Sequence, residues 1–243
     1  METLEGRQSV YAALQARRRR MRMILVAHGS HMEKLEELLS LATELGVPVK
    51  QVDRAELDAM AHGCSHGGVL AIASSLPRLN GDQLLDLHSK IEGPALLLLL
   101  EGVDDARNLG FTLRSAEALG VHAVLIKKHL WDFDAVEVAR PASGAYERLP
   151  LVQIETVEPL LALQKRGVNL IGCIAGARQT LYETNLKIPT ILAIGGEKRG
   201  LSGAVRDICD RFITIPTAGG PSLLSLSHAA AIVMGEAFRQ RVK

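Results

Sequence analysis

Ala95-Leu96-Leu97-Leu98-Leu99-Leu100-Glu101-Gly102-Val103-Asp104-Asp105-Ala106-Arg107-Asn108-Leu109-Gly110 carries the pattern that decides the fold. Its apolar run, Ala95 to Leu100, has no polar face, as expected of a strand buried on both sides of a parallel sheet. A glycine-bearing turn follows, then helical spacing from about Asn108 to Leu119 that Gly120 closes. The same sequence of strand, turn and helix recurs downstream. Strands are expected at 121–126, 168–171, 190–194 and 212–215, with helices at 157–166 and after Ser202, and a long closing helix at about 223–240. This alternation predicts an α/β fold, a mostly parallel sheet with helices on both faces.

Upstream lies a smaller α/β unit. Val10, Tyr11 and Leu14 recur at helical spacing between Gly6 and Ala16. Met23–Ala27, Pro48–Val52 and Val69–Ala73 read as strands. Ser30 and Glu33 have the spacing of a capping box, opening a helix that Gly46 would close. Asp53 and Glu56 open another. Asn80-Gly81-Asp82 is a turn signal, and no strong strand appears before Gly93-Pro94. The expected organisation is residues 1–75 as a first domain, 76–92 as a linker and 93–243 as a second domain.

Composition narrows the function classes. Hydrophobic residues make up 47% of the chain and charged residues 23%, which excludes both wholesale disorder and a membrane protein. Aromatic residues are only 3%, so the cores must be aliphatic. The longest apolar run is far too short to span a bilayer. No apolar segment precedes the first basic cluster, which argues against a secretory signal. Cys64, Cys173 and Cys209 form no paired pattern, so a reducing, cytoplasmic setting is expected. Net charge is +1, yet Arg17, Arg18, Arg19, Arg20 and Arg22 cluster. That run reads either as an RNA phosphate contact or as a solvated helix end.

Three glycine-bearing turns fall at strand ends, where open α/β sheets bind ligands. They are 101–110, leading to a helix with Arg114; 194–202, Ile194-Gly195-Gly196-Glu197-Lys198-Arg199-Gly200-Leu201-Ser202; and 215–222, starting Ile215-Pro216. No phosphate-loop or dinucleotide fingerprint is present, which sets aside nucleotide hydrolysis and a Rossmann dehydrogenase. His62, Cys64 and His66 lack a second ligand cluster, so no metal is expected.

In this order the turns resemble the three motifs of the SpoU-type, or TrmH-like, family of RNA ribose 2′-O-methyltransferases in the SPOUT superfamily. Asn108, Gly110 and Arg114 match the first motif, Gly195, Glu197 and Gly200 the second, and Ile215, Pro216 and Ala229–Ala231 the third. Ser143-Gly144-Ala145 resembles the family's small-residue turn between the first two motifs. The match covers about residues 95–243. Gly6, Val10, Leu14 and His66-Gly67-Gly68-Val69 resemble the N-terminal domain of ribosomal-RNA members, which is similar to a kink-turn-binding ribosomal protein and holds RNA.

The resemblance implies a trefoil-knotted catalytic sheet, a homodimer with an active site drawn from both subunits, and S-adenosylmethionine as cofactor. It implies an RNA substrate, with ribosomal RNA expected. Gly195, Ile215 and Leu224 are the cofactor-binding candidates. Arg114 would stabilise the developing 2′-alkoxide. Asn108 would position Arg114 or a phosphate, and Glu197 would orient the arginine or substrate. The alternative for Glu197 is a salt bridge to Lys198 or Arg199. One departure stands out: the family's Ser-Leu-Asn-Val-Ser is here Leu223-Leu224-Ser225-Leu226-Ser227. Leu223 replaces a serine, and Ser225, the remaining catalytic candidate, replaces an asparagine. A second reading is therefore an RNA-binding or ribosome-assembly factor of the same family with impaired catalysis. In the closing helix, Leu224, Ala231, Ile232 and Met234 spread beyond one core stripe, as expected of a dimer face.

Overall fold

The structure, a computed structural model, describes residues 1–62, 66–127, 133–219 and 224–242. In chain order the elements begin with β1 (Glu2–Glu5), α1 (Arg7–Ala16), β2 (Met21–Ala27), α2 (Glu36–Glu44), β3 (Val49–Val52), α3 (Arg54–Met60) and β4 (Val69–Ala73). Then come α4 (Gly81–Ser89), β5 (Leu96–Glu101), α5 (Ala106–Ala118), β6 (Ala123–Lys127), α6 (Ala135–Ala142) and α7 (Ala145–Arg148). The chain continues through β7 (Leu151–Ile154), α8 (Glu158–Lys165), β8 (Asn169–Cys173), β9 (Gln179–Thr180) and β10 (Thr190–Gly195). It closes with α9 (Gly203–Ile208), β11 (Arg211–Thr214) and α10 (Leu226–Arg241). Two compact units result: Met1–Pro77 with Asp134–Arg148, and Arg78–Phe133 with Leu149–Lys243.

The first unit is built on a sheet of order β1-β4-β2-β3. The β1–β4 and β4–β2 pairs are antiparallel, and β2–β3 is parallel. Val10, Leu14, Ile24, Leu38 and Val69 fill one face, while Leu25, Leu57 and Leu70 fill the other. Helix α2 departs from expectation. A 3-10 turn, Met32–Leu35, precedes it, and α2 opens without a side-chain cap, so Ser30 and Glu33 form no capping box. Gly46 follows α2 at φ 65°, the left-handed geometry that suits glycine.

Helices α6 and α7 belong to this first unit. Ser143 and Gly144 form the left-handed turn between them, at φ 51° and 91°. A Cβ on Gly144 would lie 2.8 Å from the Ala12 side chain, so the small residue there serves contact with α1. This turn resembled part of the catalytic half; it packs in the first unit instead.

The arginine cluster is likewise revised. Arg19 is fully buried, with its Nε and Nη2 donating to both oxygens of Glu147 at 2.7 and 2.9 Å. Its Nη1 donates to Glu2 and to the Ser74 carbonyl. Arg18 is half-buried and donates to the Glu147 and Pro77 carbonyls. Arg17 pairs with Glu44, and only Arg20 and Arg22 remain as exposed cations of the run without an ion pair among the described residues. Arg19 is thus a structural ion-pair residue, corrected from an RNA contact: a buried guanidinium needs all its donors satisfied inside the protein.

The second unit is a seven-stranded sheet of order β7-β6-β5-β10-β8-β11-β9 in which every pair is parallel. Leu96–Leu100 are buried on both faces of β5, an interior strand flanked by β6 and β10. The region expected to be a linker, 76–92, contains helix α4. Asn80, read as a turn residue, is its N-cap, accepting from Gln83 N–H while the Gln83 side chain accepts from Asn80 N–H. Leu84 of α4 is fully buried in the second unit's core.

Replacing Arg19 with Ala should cost about 3–5 kcal/mol of stability, because Glu147 would be left as an unpaired buried carboxylate. Urea unfolding measures this. A loss under 1 kcal/mol would mean the pair is not the anchor described.

Candidate active site and basic cleft

The first two glycine turns meet at the C-terminal ends of the paired strands β5 and β10, and helix α10 begins against both. Asp105 caps α5, accepting from Arg107 N–H at 2.6 Å and Asn108 N–H at 3.2 Å. Ser202 caps α9 and Ser225 caps α10, accepting from Val205 and His228 N–H respectively. Each turn thus leads into a helix whose first residues are fixed by a polar side chain.

Close backbone approach explains the glycines. A Cβ on Gly196 would lie 1.8 Å from the Gly102 carbonyl oxygen. A Cβ on Gly195 would lie 2.1 Å from the Gly200 carbonyl carbon. Gly200 N–H donates to the Gly196 carbonyl at 2.8 Å, curling the second turn back on itself. Gly102 and Gly200 also have left-handed φ, at 66° and 63°. The space beside Gly195 is occupied by the protein's own backbone, so this glycine is required by the turn itself.

The first turn of α10 joins the motifs. Leu226 N–H donates to Glu197 Oε1 at 3.1 Å. Ser227 Oγ donates to Asn108 Oδ1 at 3.0 Å. Ser225 Oγ lies 3.0 Å from Ser227 Oγ and 2.7 Å from His228 Nδ1. Asn108 and Glu197 therefore bind helix α10, where the sequence suggested contact with Arg114 or substrate. Glu197 does not pair with Lys198, which pairs with Asp104 at 3.2 Å. Arg114 is exposed on α5, and its side chain makes no hydrogen bond or ion pair among the described residues. Gly195, Ile215 and Leu224 are each half-buried. Leu223 and residues 220–222 lie outside the described residues.

Sequence reading placed Ser227 in the third motif without a role, and missed His228 and a buried network under the second turn. Glu101, at the end of β5, is 3% exposed. It accepts from Ser202 N–H at 2.7 Å and Ser202 Oγ–H at 3.0 Å, and pairs with Lys127. A charged residue ending a run of five buried leucines was the available signal. Burial pushes the Cys173 and Cys209 thiols up to about 11, so neither is a nucleophile at neutral pH.

The first unit holds a cleft of about 720 Å³ at the amino end of α1. Arg7, His28, His31, Lys34 and Arg54 line it and are exposed. Helix α1 has no side-chain cap there. The cleft's one acidic lining residue, Glu5, is buried and paired with Arg140 and His62, so the exposed charge is basic. The hydrogen bond to Glu5 holds His62 above the ordinary imidazole range. His66 is buried and bonds Asp58 at 2.7 Å. Cys64 lies outside the described residues.

The SpoU rRNA methylase family model matches residues 95–235, and a model for RNA 2′-O-ribose methyltransferase substrate binding matches residues 3–79. The chain belongs to the SpoU family of RNA 2′-O-ribose methyltransferases. It is 37% identical to the 23S rRNA (guanosine-2′-O-)-methyltransferase RlmB of Pseudomonas aeruginosa, covering 99% of this chain and 97% of that one. Identity to the Vibrio vulnificus enzyme of the same name is 34%, over 99% of this chain and 98% of the relative. A crystal structure of an RNA 2′-O-ribose methyltransferase superposes with TM-score 0.78 at 27% identity, covering 98% of this chain and 88% of the other. The SpoU methyltransferase AviRb of Streptomyces viridochromogenes, solved with its cofactor AdoMet, shares the fold at TM-score 0.81 and 24% identity. The two chains are covered to 98% and 90%. The second unit is therefore a SPOUT domain.

Gly195→Val should disrupt the second turn and lower the melting temperature by several degrees, because its side chain would collide with backbone. Calorimetric melting measures this. Unchanged melting with lost cofactor binding would mean open space adjoins Gly195.

Proposed function

We propose that this chain methylates the ribose 2′-oxygen of a guanosine in 23S rRNA, uses S-adenosylmethionine and works as a homodimer. The observation carrying this reading is the joining of all three motifs around the first turn of α10. The backbone groups of Ile215 and Leu224 make no hydrogen bond among the described residues. Half-buried, uncommitted N–H and C=O groups suit a cofactor recognised through backbone. Gly195, Ile215 and Leu224 would hold it, and when bound it supplies an electrophilic methyl group. The two RlmB relatives are 23S rRNA (guanosine-2′-O-)-methyltransferases, which supports that substrate.

The chain's own residues have distinct tasks in this reading. Arg114, exposed and uncommitted, stabilises negative charge as the ribose hydroxyl loses its proton. A guanidinium stays protonated in proteins, so this residue does not act as the base. Asn108 and Glu197 work indirectly, each giving one oxygen to α10. Ser225 occupies the helix N-cap, where serine and asparagine serve about equally well. This supports an active enzyme over the catalytically impaired assembly factor, because the replaced asparagine leaves α10 still capped.

The dimer reading rests on an exposed stripe. On α10, Leu226, Ala230, Val233, Met234 and Ala237 are buried, whereas His228, Ala231, Ile232 and Phe238 are half or fully exposed. Phe111, three residues before Arg114 on α5, is also exposed. A second copy covering these helices would bury both phenylalanines and flank Arg114.

RNA grip falls to the basic cleft instead of the Arg17–Arg22 run. Its cations are exposed, and an uncapped helix amino end favours phosphate.

Arg114→Ala should lower methyl transfer to unmodified 23S rRNA about a hundredfold with little change in cofactor affinity. Single-turnover kinetics and calorimetry separate the two; equal transfer rates would remove Arg114 from the chemistry. For RNA, neutralising Arg7, Lys34 and Arg54 should flatten the salt dependence of binding by roughly one unit per lost phosphate contact. Neutralising Arg17, Arg20 and Arg22 should change it less. The reverse order would return the RNA contact to the arginine run.

A further inference from the structure

We propose that Glu101 is a positioning residue that sets the 195–202 turn for cofactor binding without touching the cofactor. This rests on reading that turn as part of the cofactor site.

The argument begins with cost. A carboxylate at 3% exposure is unfavourable unless its oxygens are fully used. Here they are. Ser202 donates twice, from N–H and Oγ–H, and Lys127 supplies the counter-charge from the end of the neighbouring strand. Ser202 is saturated in turn. Its hydroxyl proton goes to Glu101, and its oxygen accepts from Lys127 Nζ at 3.1 Å and from Val205 N–H at 3.4 Å. Both Glu101 oxygens and the Ser202 hydroxyl are thus engaged inside the protein.

Its position gives it leverage. Gly195 lies opposite Glu101 in the β5–β10 register. Strand pairing therefore fixes the start of the turn at Glu101, and the Glu101 carboxylate fixes its end at Ser202. Between these points Gly196 packs on the Gly102 backbone, and Glu197 takes the Leu226 N–H. Moving Ser202 away from Glu101 would loosen Glu197 and, through it, the amino end of α10. An ordinary strand-end salt bridge would need only Lys127. The two hydrogen bonds from Ser202 are what tie Glu101 to the turn.

Glu101→Gln keeps the shape but discards the charge and presents an amide donor toward Lys127 or Ser202. Titration with S-adenosylmethionine alone, below each variant's own melting temperature, should give a dissociation constant about tenfold or more weaker. The KM for S-adenosylmethionine should rise in step, while kcat at saturating cofactor, measured on unmodified 23S rRNA, stays within a few-fold. Ser202→Ala, which keeps the N–H bond, should weaken binding less. Folded Glu101→Gln protein that binds within twofold of wild type would overturn the proposal. So would a collapse of kcat at unchanged affinity. If Glu101→Gln does not fold, Ser202→Ala decides, with unchanged affinity overturning the proposal. Wild-type protein that fails to bind S-adenosylmethionine would instead overturn the cofactor reading and this inference with it.

Discussion

The second unit depends on a contact between two pieces of backbone. The Gly102 carbonyl and the Gly196 main chain approach so closely that a single methyl group at Gly196 would have nowhere to go. This approach brings the turn after β5 against the turn after β10. Central parallel strands put their carboxyl ends side by side, but side chains would normally hold the following turns apart. Glycine at 196 removes that barrier, while Gly195 lets the second turn close on itself and Gly102 and Gly200 take left-handed φ. The turns can then lie flat enough for α10 to begin above them.

Polar groups convert that proximity into a defined arrangement. Asn108 from the first turn and Glu197 from the second each accept a hydrogen bond from the first residues of α10. A helix amino end offers unsatisfied N–H groups, so a carboxylate there is favoured by geometry and by the helix dipole. Two motif residues expected at the chemistry thus spend at least one oxygen on assembly. Arg114 stands apart, exposed and uncommitted, which is what a group reserved for substrate requires.

Local patterns in the chain were legible and long-range pairings were not. Val69–Ala73 and Ala95–Leu100 are apolar runs whose burial needs no partner information, and both appear in strands. Ser202 was read correctly as a helix cap. Asn80 was misread because asparagine before glycine serves a turn and a helix N-cap equally well. Strand β1 escaped notice because only Leu4 and Glu5 of its residues are buried. Arg19 looked like part of a basic surface since its partner, Glu147, lies 128 residues away. No local rule joins positions so distant. The same holds for Glu101 and Ser202, and for the placement of 134–148 in the first unit. At the site, motif spacing located the turns, but which side chains hold α10 and which remain available emerged only from the fold.

Hydrogen exchange with and without S-adenosylmethionine tests the central claim most directly. If the three turns form one cofactor site organised by α10, added cofactor should slow exchange at 195–202, 215–219 and the first turn of α10, with smaller effects at 101–110. Exchange in residues 1–77 should be unchanged. Protection centred in the first unit, or none in the 195–202 turn, would contradict the account.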